Sequence, residues 1–134
     1  MQKKYLIVIY GKDGCEKCAR LKLNVKALLA NESLGRDFDM DYQNLSTAEG
    51  MAAYAAAETI NGQRLPGLQI MKYNEGKRTY TKIADPRPES FDAKTKKLFV
   101  PSYLQLQTDY YGSYAQEISD KEILELADLA IAAG

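Results

Sequence analysis

Tyr5-Leu6-Ile7-Val8-Ile9-Tyr10, followed by Gly11-Lys12-Asp13-Gly14 and then Cys15-Glu16-Lys17-Cys18, is the stretch on which the reading of this chain turns. Six apolar residues in a row predict a strand, and a short polar turn follows. A helical pattern then starts at the cysteines and runs to about Leu29. Two cysteines three apart at a strand-to-helix junction suit reversible dithiol/disulfide chemistry. The helix N-terminus favours a thiolate, and one turn of offset brings the second sulfur within reach of the first. The chain has no other cysteine, so any thiol chemistry it performs takes place here.

Composition narrows the remaining classes. A chain of 134 residues, 46% of them hydrophobic, fits one domain with a core of its own. Basic and acidic residues balance at 18 each, so net charge gives no reason to expect nucleic acid or an anionic membrane as partner. The sequence contains no histidine, which excludes a Cys-His dyad, a Ser-His-Asp triad and any His-ligated metal. Two thiolates are half of a tetrahedral zinc site, so no metal is expected within one chain. Lys3 and Lys4 precede an apolar run too short for a signal-peptide core, and no stretch reaches the ~20 apolar residues of a spanning helix. The expectation is a cytoplasmic protein, where C-x-x-C more often serves redox or metal chemistry than structural stapling.

Downstream of the motif, Cys18, Leu21, Val25, Leu28 and Leu29 fall at helical spacing, with Lys17, Arg20, Lys22 and Lys26 on the other sides. Asn31 to Gly35 reads as a loop. Phe38-Asp39-Met40-Asp41-Tyr42 alternates like a strand with one partly polar face. Ser46 and Glu49 form a capping box for a helix running to about Thr59, which Asn61-Gly62 ends. After Pro66, residues Leu68 to Tyr73 and Arg78 to Ile83 read as a hairpin around Asn74-Glu75-Gly76. A second capping box, Ser119 with Glu122, opens a last helix that buries Ile123, Leu126, Ala127, Ala130 and Ile131. The predicted order is β-α-β-α-β-β-α.

Residues 84–118 interrupt that order. Asp85-Pro86-Arg87-Pro88 breaks the preceding strand, Lys94, Lys96 and Lys97 form a basic cluster, and Phe91, Phe99, Tyr103, Tyr110, Tyr111 and Tyr114 make the segment aromatic. Leu104-Gln105-Leu106-Gln107 alternates like a short strand. Two roles are open for this segment: a structural addition covering a sheet edge, or a docking or lid element beside the cysteines.

In element order and motif the chain resembles the glutaredoxins of the thioredoxin-fold superfamily. The resemblance is closest over Ile7 to Arg20: apolar strand, aromatic, glycine, a basic residue (Lys12) three before the first cysteine, Cys-x-x-Cys and a basic helix. Leu65-Pro66 stands where that family has a hydrophobic residue and a cis-proline before its third strand. The chain departs from the family pattern in having Glu16-Lys17 between the cysteines, Arg64 two before the proline, and no Gly-Gly-x-Asp-type turn after Ile83. The likeness implies an α/β, thioredoxin-like fold, a mixed central sheet flanked by helices. Residues 1–83 and 119–134 would form its core in a single domain of residues 1–134, with 84–118 inserted.

The likeness also implies roles. Cys15 at the start of the helix is the nucleophile, its pKa lowered from about 8.5 to near or below neutrality, with Lys12 and Lys17 assisting and Glu16 opposing. Cys18, one turn in, is the resolving thiol. Leu65 and Pro66 present backbone to an extended substrate, and Arg64 binds a carboxylate such as the glycine end of glutathione.

The leading expectation is therefore a monomeric thiol-disulfide oxidoreductase that reduces protein or glutathione mixed disulfides, as electron donor to a reductase. It carries no tightly bound cofactor, and glutathione or a thioredoxin reductase is its source of electrons. Two alternatives use the same fold differently. One is a non-enzymatic module docking through 84–118. The other is a dimer sharing four thiolates around zinc or an iron–sulfur cluster.

Overall fold

β-Branched and aromatic residues at Tyr5–Gly11 form a strand, β1, that is buried along nearly its whole length, with Tyr5, Ile7, Val8, Ile9 and Tyr10 all inside. The structure, a computed structural model, describes residues 3–57, 65–84, 90–92, 97–99, 103–107 and 118–133. Next come helix α1 (Glu16–Leu29), the single turn α2 (Glu32–Gly35), strand β2 (Phe38–Asn44) and helix α3 (Ala48–Ala56). The hairpin β3 (Gly67–Asn74) and β4 (Thr79–Lys82) follows, then three short strands, β5 (Ser90–Asp92), β6 (Lys97–Phe99) and β7 (Gln105–Gln107), and finally helix α4 (Asp120–Ala133).

β1 lies at the centre of a mixed sheet. It pairs in parallel with β2, Tyr5 opposite Phe38 through Gly11 opposite Asn44, and antiparallel with β3, Tyr10 opposite Gly67. The path β2-β1-β3-β4 gains β7 as a fifth strand among the described residues. Because β1 occupies one edge of β3, β4 and β7 divide the other. Met71 to Asn74 pair with β4, and Gly67 to Gln69 pair with β7. β5 and β6 form a separate two-stranded hairpin.

The alternation of β1 sends its side chains to two different covers. Tyr5, Ile7 and Ile9 join Leu21 and Val25 of α1 and Ile123, Leu126, Ala127 and Ala130 of α4 in the larger core. Val8 and Tyr10 face the other way, against Ala53, Tyr54 and Ala57 at α3. This mixed sheet between helices is compatible with a thioredoxin-like fold. The expected β-α-β-α-β-β-α series is present, and to it the chain adds α2 and the three short strands between β4 and α4.

Several local expectations need correction. Asn31 to Gly35 holds a helical turn, because the Asn31 carbonyl accepts from the backbone N–H groups of Leu34 and Gly35 at 3.2 and 2.8 Å. The cap of α3 is Thr47, whose Oγ1 accepts from Gly50 N–H at 3.0 Å. Ser46, expected in that place, accepts instead from Asp13 N–H. Ile131 is 50% exposed. It sits roughly 90° around α4 from the centre of the stripe made by Ile123, Leu126, Ala127 and Ala130, at the flank of the buried face. The Ser119–Glu122 capping box forms as expected: Ser119 Oγ accepts from Glu122 N–H at 3.2 Å, and Glu122 Oε1 accepts from Ser119 N–H at 3.1 Å.

The alternating stretch Leu104 to Gln107 supplies β7, and Leu104 itself is fully buried in the larger core. Tyr103 stacks beneath the Lys82 ammonium, 4.6 Å from its ring centroid. The backbones of Phe91, Lys97 and Phe99 lie in β5 and β6. Asp85 to Pro88, Lys94, Lys96, Tyr110, Tyr111 and Tyr114, named from the sequence, lie outside the described residues.

Candidate active site

The end of β1 delivers the chain to the cysteines through a pinned turn. Gly11 closes the strand, its carbonyl accepting from Leu45 N–H at 2.7 Å. Gly14 then takes φ 75°, a left-handed conformation that costs glycine little and other residues more. Between them, Asp13 ties the turn to the β2–α3 corner. Its carboxylate accepts from Asn44 Nδ2 at 2.7 Å, and its N–H donates to Ser46 Oγ at 3.1 Å.

Cys15 is the N-cap of α1. Its backbone is extended, its carbonyl accepts from Ala19 N–H at 3.1 Å, and its Sγ accepts from Cys18 N–H at 3.2 Å. A sulfur in this position stands where a helix N-terminus normally places a Ser or Asp oxygen, facing the N–H groups of the first turn and the positive end of the dipole. Cys18, one turn in, has no exposed surface, whereas Cys15 is half-buried. The two are disulfide-bonded, with Cα atoms 5.3 Å apart. The first cysteine is the more exposed of the two, and the second lies behind it beside Gly11 of the sheet.

The other residues expected at this site are placed as follows. Lys12 is exposed, between β1 and the turn. Leu65 packs beside the α3-side core, and Pro66 is buried after a cis Leu65–Pro66 bond. Since Gly67 pairs with Tyr10, the register brings Leu65 and Pro66 to the end of the sheet from which the cysteine turn leaves. Arg64 lies outside the described residues. Glu16 pairs with Arg20 at 3.8 Å, an exposed contact that moderates its negative charge beside Cys15 and is worth little in stability.

Reasoning along the sequence missed Asp13, Asn44, Ser46 and Tyr42. The first three hold the turn together, and their meeting depends on the β1–β2 register, which no local pattern records. Tyr42 lies on the α1 side of β2, with the Lys22 ammonium 4.9 Å from its ring centroid. Burial, and secondarily the Asp13 carboxylate, push its phenol above the usual range, so it is an O–H donor at neutral pH. The parity of β2 was the one available signal: Tyr42 shares a face with Phe38 and Met40, the face that meets α1.

On the opposite face, Tyr10 is buried with its hydroxyl 3.5 Å from Gln69 Oε1, while Gln69 Nε2 donates to the Ala57 carbonyl at 3.0 Å. Among the described residues, no helix is long and apolar enough to cross a membrane. Comparison with protein-family models, curated proteins and solved structures gives no match to this chain. Chemically, a disulfide-bonded C-x-x-C pair at a helix N-terminus is consistent with a redox-active dithiol.

Proposed function

We propose that this chain is a glutaredoxin-like thiol-disulfide oxidoreductase, reducing protein or glutathione mixed disulfides and serving as electron donor to a reductase. The observation that carries the reading is the asymmetry of the cysteine pair. Cys15 is a half-buried residue at a helix N-cap, its Sγ accepting from the N–H of Cys18, and Cys18 is fully buried one turn behind it.

In the proposed cycle the Cys15 thiolate attacks a substrate disulfide, forming a mixed disulfide and releasing one substrate thiolate, which takes a proton from water. The Cys18 thiolate then attacks Cys15. The internal disulfide forms, and the second substrate sulfur leaves with the electron pair. Leu65 offers its backbone to the extended substrate, with Pro66 shaping the loop. Lys12 and Arg64 attract carboxylates of the partner or of glutathione. Two electrons from glutathione, or from a thioredoxin reductase, restore the dithiol. The reading takes the protein as one cytoplasmic, monomeric domain with no tightly bound cofactor.

The test is glutathione-coupled reduction of a small model disulfide by the native chain and by Cys15→Ser and Cys18→Ser. Turnover should vanish with Cys15→Ser, and Cys18→Ser should accumulate the mixed disulfide. Full turnover by Cys15→Ser would sink the assignment. Inactivity of the native chain with glutathione would transfer the electron source to thioredoxin reductase, and inactivity with both would end the enzymatic reading.

A further inference from the structure

A buried thiol that must become an anion during each cycle needs a hydrogen-bond donor, since burial strips away most of its hydration and an unsatisfied buried charge is costly. Cys18 is such a thiol, with no exposed surface. Cys18 and Lys22 are one turn apart on α1, and Tyr42 of β2 stands against both. A Cβ built on Gly11 would collide with the Tyr42 hydroxyl while standing 2.9 Å from Tyr42 Cζ and 2.9 Å from Cys18 Cβ. The phenol hydroxyl and the root of the Cys18 side chain are therefore neighbours, meeting over the bare backbone of Gly11. Among the described residues, the charged and titratable groups recorded against them are Asp13 from the turn, Lys22 from α1, and Cys15, bonded to Cys18 itself.

We infer that Tyr42 is the hydrogen-bond donor to the Cys18 thiolate, and that through this bond it sets how readily the Cys15–Cys18 disulfide opens. The inference rests on the dithiol reading above. When a thiolate reductant attacks Cys15 Sγ, a new S–S bond forms to the reductant and the Cys15–Cys18 bond breaks. The electron pair leaves on Cys18. The Tyr42 O–H then turns to that sulfur, keeping its own proton, until the thiolate is protonated by solvent or attacks Cys15 again. The Lys22 ammonium, 4.9 Å from the ring centroid, adds a positive charge on the same side of the site, where it also favours the thiolate.

The test is the ultraviolet thiolate titration of Cys18 in a Cys15→Ser background, where serine keeps the helix cap, with Tyr42 intact and as Tyr42→Phe. Loss of one charge-assisted hydrogen bond should raise the Cys18 midpoint by about one pH unit, a tenfold loss of thiolate at a given pH. In the two-cysteine protein, at a pH above both Cys18 midpoints, Tyr42→Phe should require about tenfold more reduced than oxidised dithiothreitol to open half the disulfide. Alkylation of Cys15 in a Cys18→Ser background should not change. An unmoved Cys18 midpoint in a variant that melts normally overturns the inference. If Tyr42→Phe does not fold, the tyrosine absorption of the Cys15→Ser protein is followed through the Cys18 titration. A band that shifts with the thiolate midpoint supports the bond, and a flat one refutes it. Failure of the parent reading shows separately, as native protein whose cysteines do not exchange with dithiothreitol at all.

Discussion

Tyr10 is the last buried side chain of β1 before the cysteine turn, and it carries a phenol into the interior. Burial, then Asp41 and Tyr54, push its pKa up to about 12. In the unfolded chain the same phenol ionises near 10, so between pH 10 and 12 the folded form holds the proton more tightly. The stability this provides is complete below pH 10 and is lost as pH rises towards 12. Chemical denaturation at stepped pH should show the native chain losing about 2–3 kcal/mol over that window from this group. Tyr10→Phe should lack that component. Tyr42 and Tyr80, raised mainly by burial, contribute in the same direction and persist in the variant. An identical pH slope in both proteins would contradict the assignment to Tyr10. At this scale the sequence was legible where chemistry is local: the helical pattern that begins at the cysteines puts Cys15 at a helix start, and their spacing puts Cys18 a turn behind. The parts that Tyr42, Asp13 and Asn44 play at the site were not legible, because each depends on a neighbour more than 20 residues away, at Gly11, Asn44 or Asp13 respectively.

Among the elements, α3 shows how a capping signal can be right in kind and displaced by one. Ser46 and Thr47 are both cap residues by type. The β2–α3 corner decides between them, because Thr47 Oγ1 also donates to the Asn44 carbonyl at 2.7 Å while Ser46 is drawn to the Asp13 N–H. Thr47→Ala should therefore cost about 1 kcal/mol, and Ser46→Ala about half of that or less. Urea midpoints of the two variants decide the matter, and equal losses would restore Ser46 to the cap. The same lesson applies at Ile131. Period 3.6 marks which residues share a face, but how far round the buried stripe extends depends on the neighbours that cover it. By contrast, the extents of β1 and α1 follow closely from an unbroken apolar run and an uninterrupted helical period.

For the molecule as a whole, the stretch between β4 and α4 takes part in the core. Leu104 is completely buried among Leu68, Ile70 and the residues of α4, and its backbone bonds both ways, donating to the Ile83 carbonyl at 3.0 Å and accepting from Ile70 N–H at 3.3 Å. Leu104→Ala should lower stability by about 2–5 kcal/mol, as for other core leucines, measured as a fall in the urea midpoint at constant slope. A loss near zero would make β7 a peripheral ribbon. The alternation of Leu104 to Gln107 disclosed the strand. Its place beside β3 was not legible, since pairing at a distance of more than 30 residues leaves no trace in either segment alone.

That same pairing has a consequence for how the chain can vary. Ala84 bridges to Tyr103, so the polypeptide leaves the sheet and re-enters it at one doorway. Whatever stands between those two residues is hung from a closed hinge-post: lengthening or exchanging it changes loop-closure entropy only logarithmically and leaves the sheet's register untouched. The fold thus carries a socket on the edge of β3, at which new sequence can be tried without renegotiating the frame that holds the cysteines.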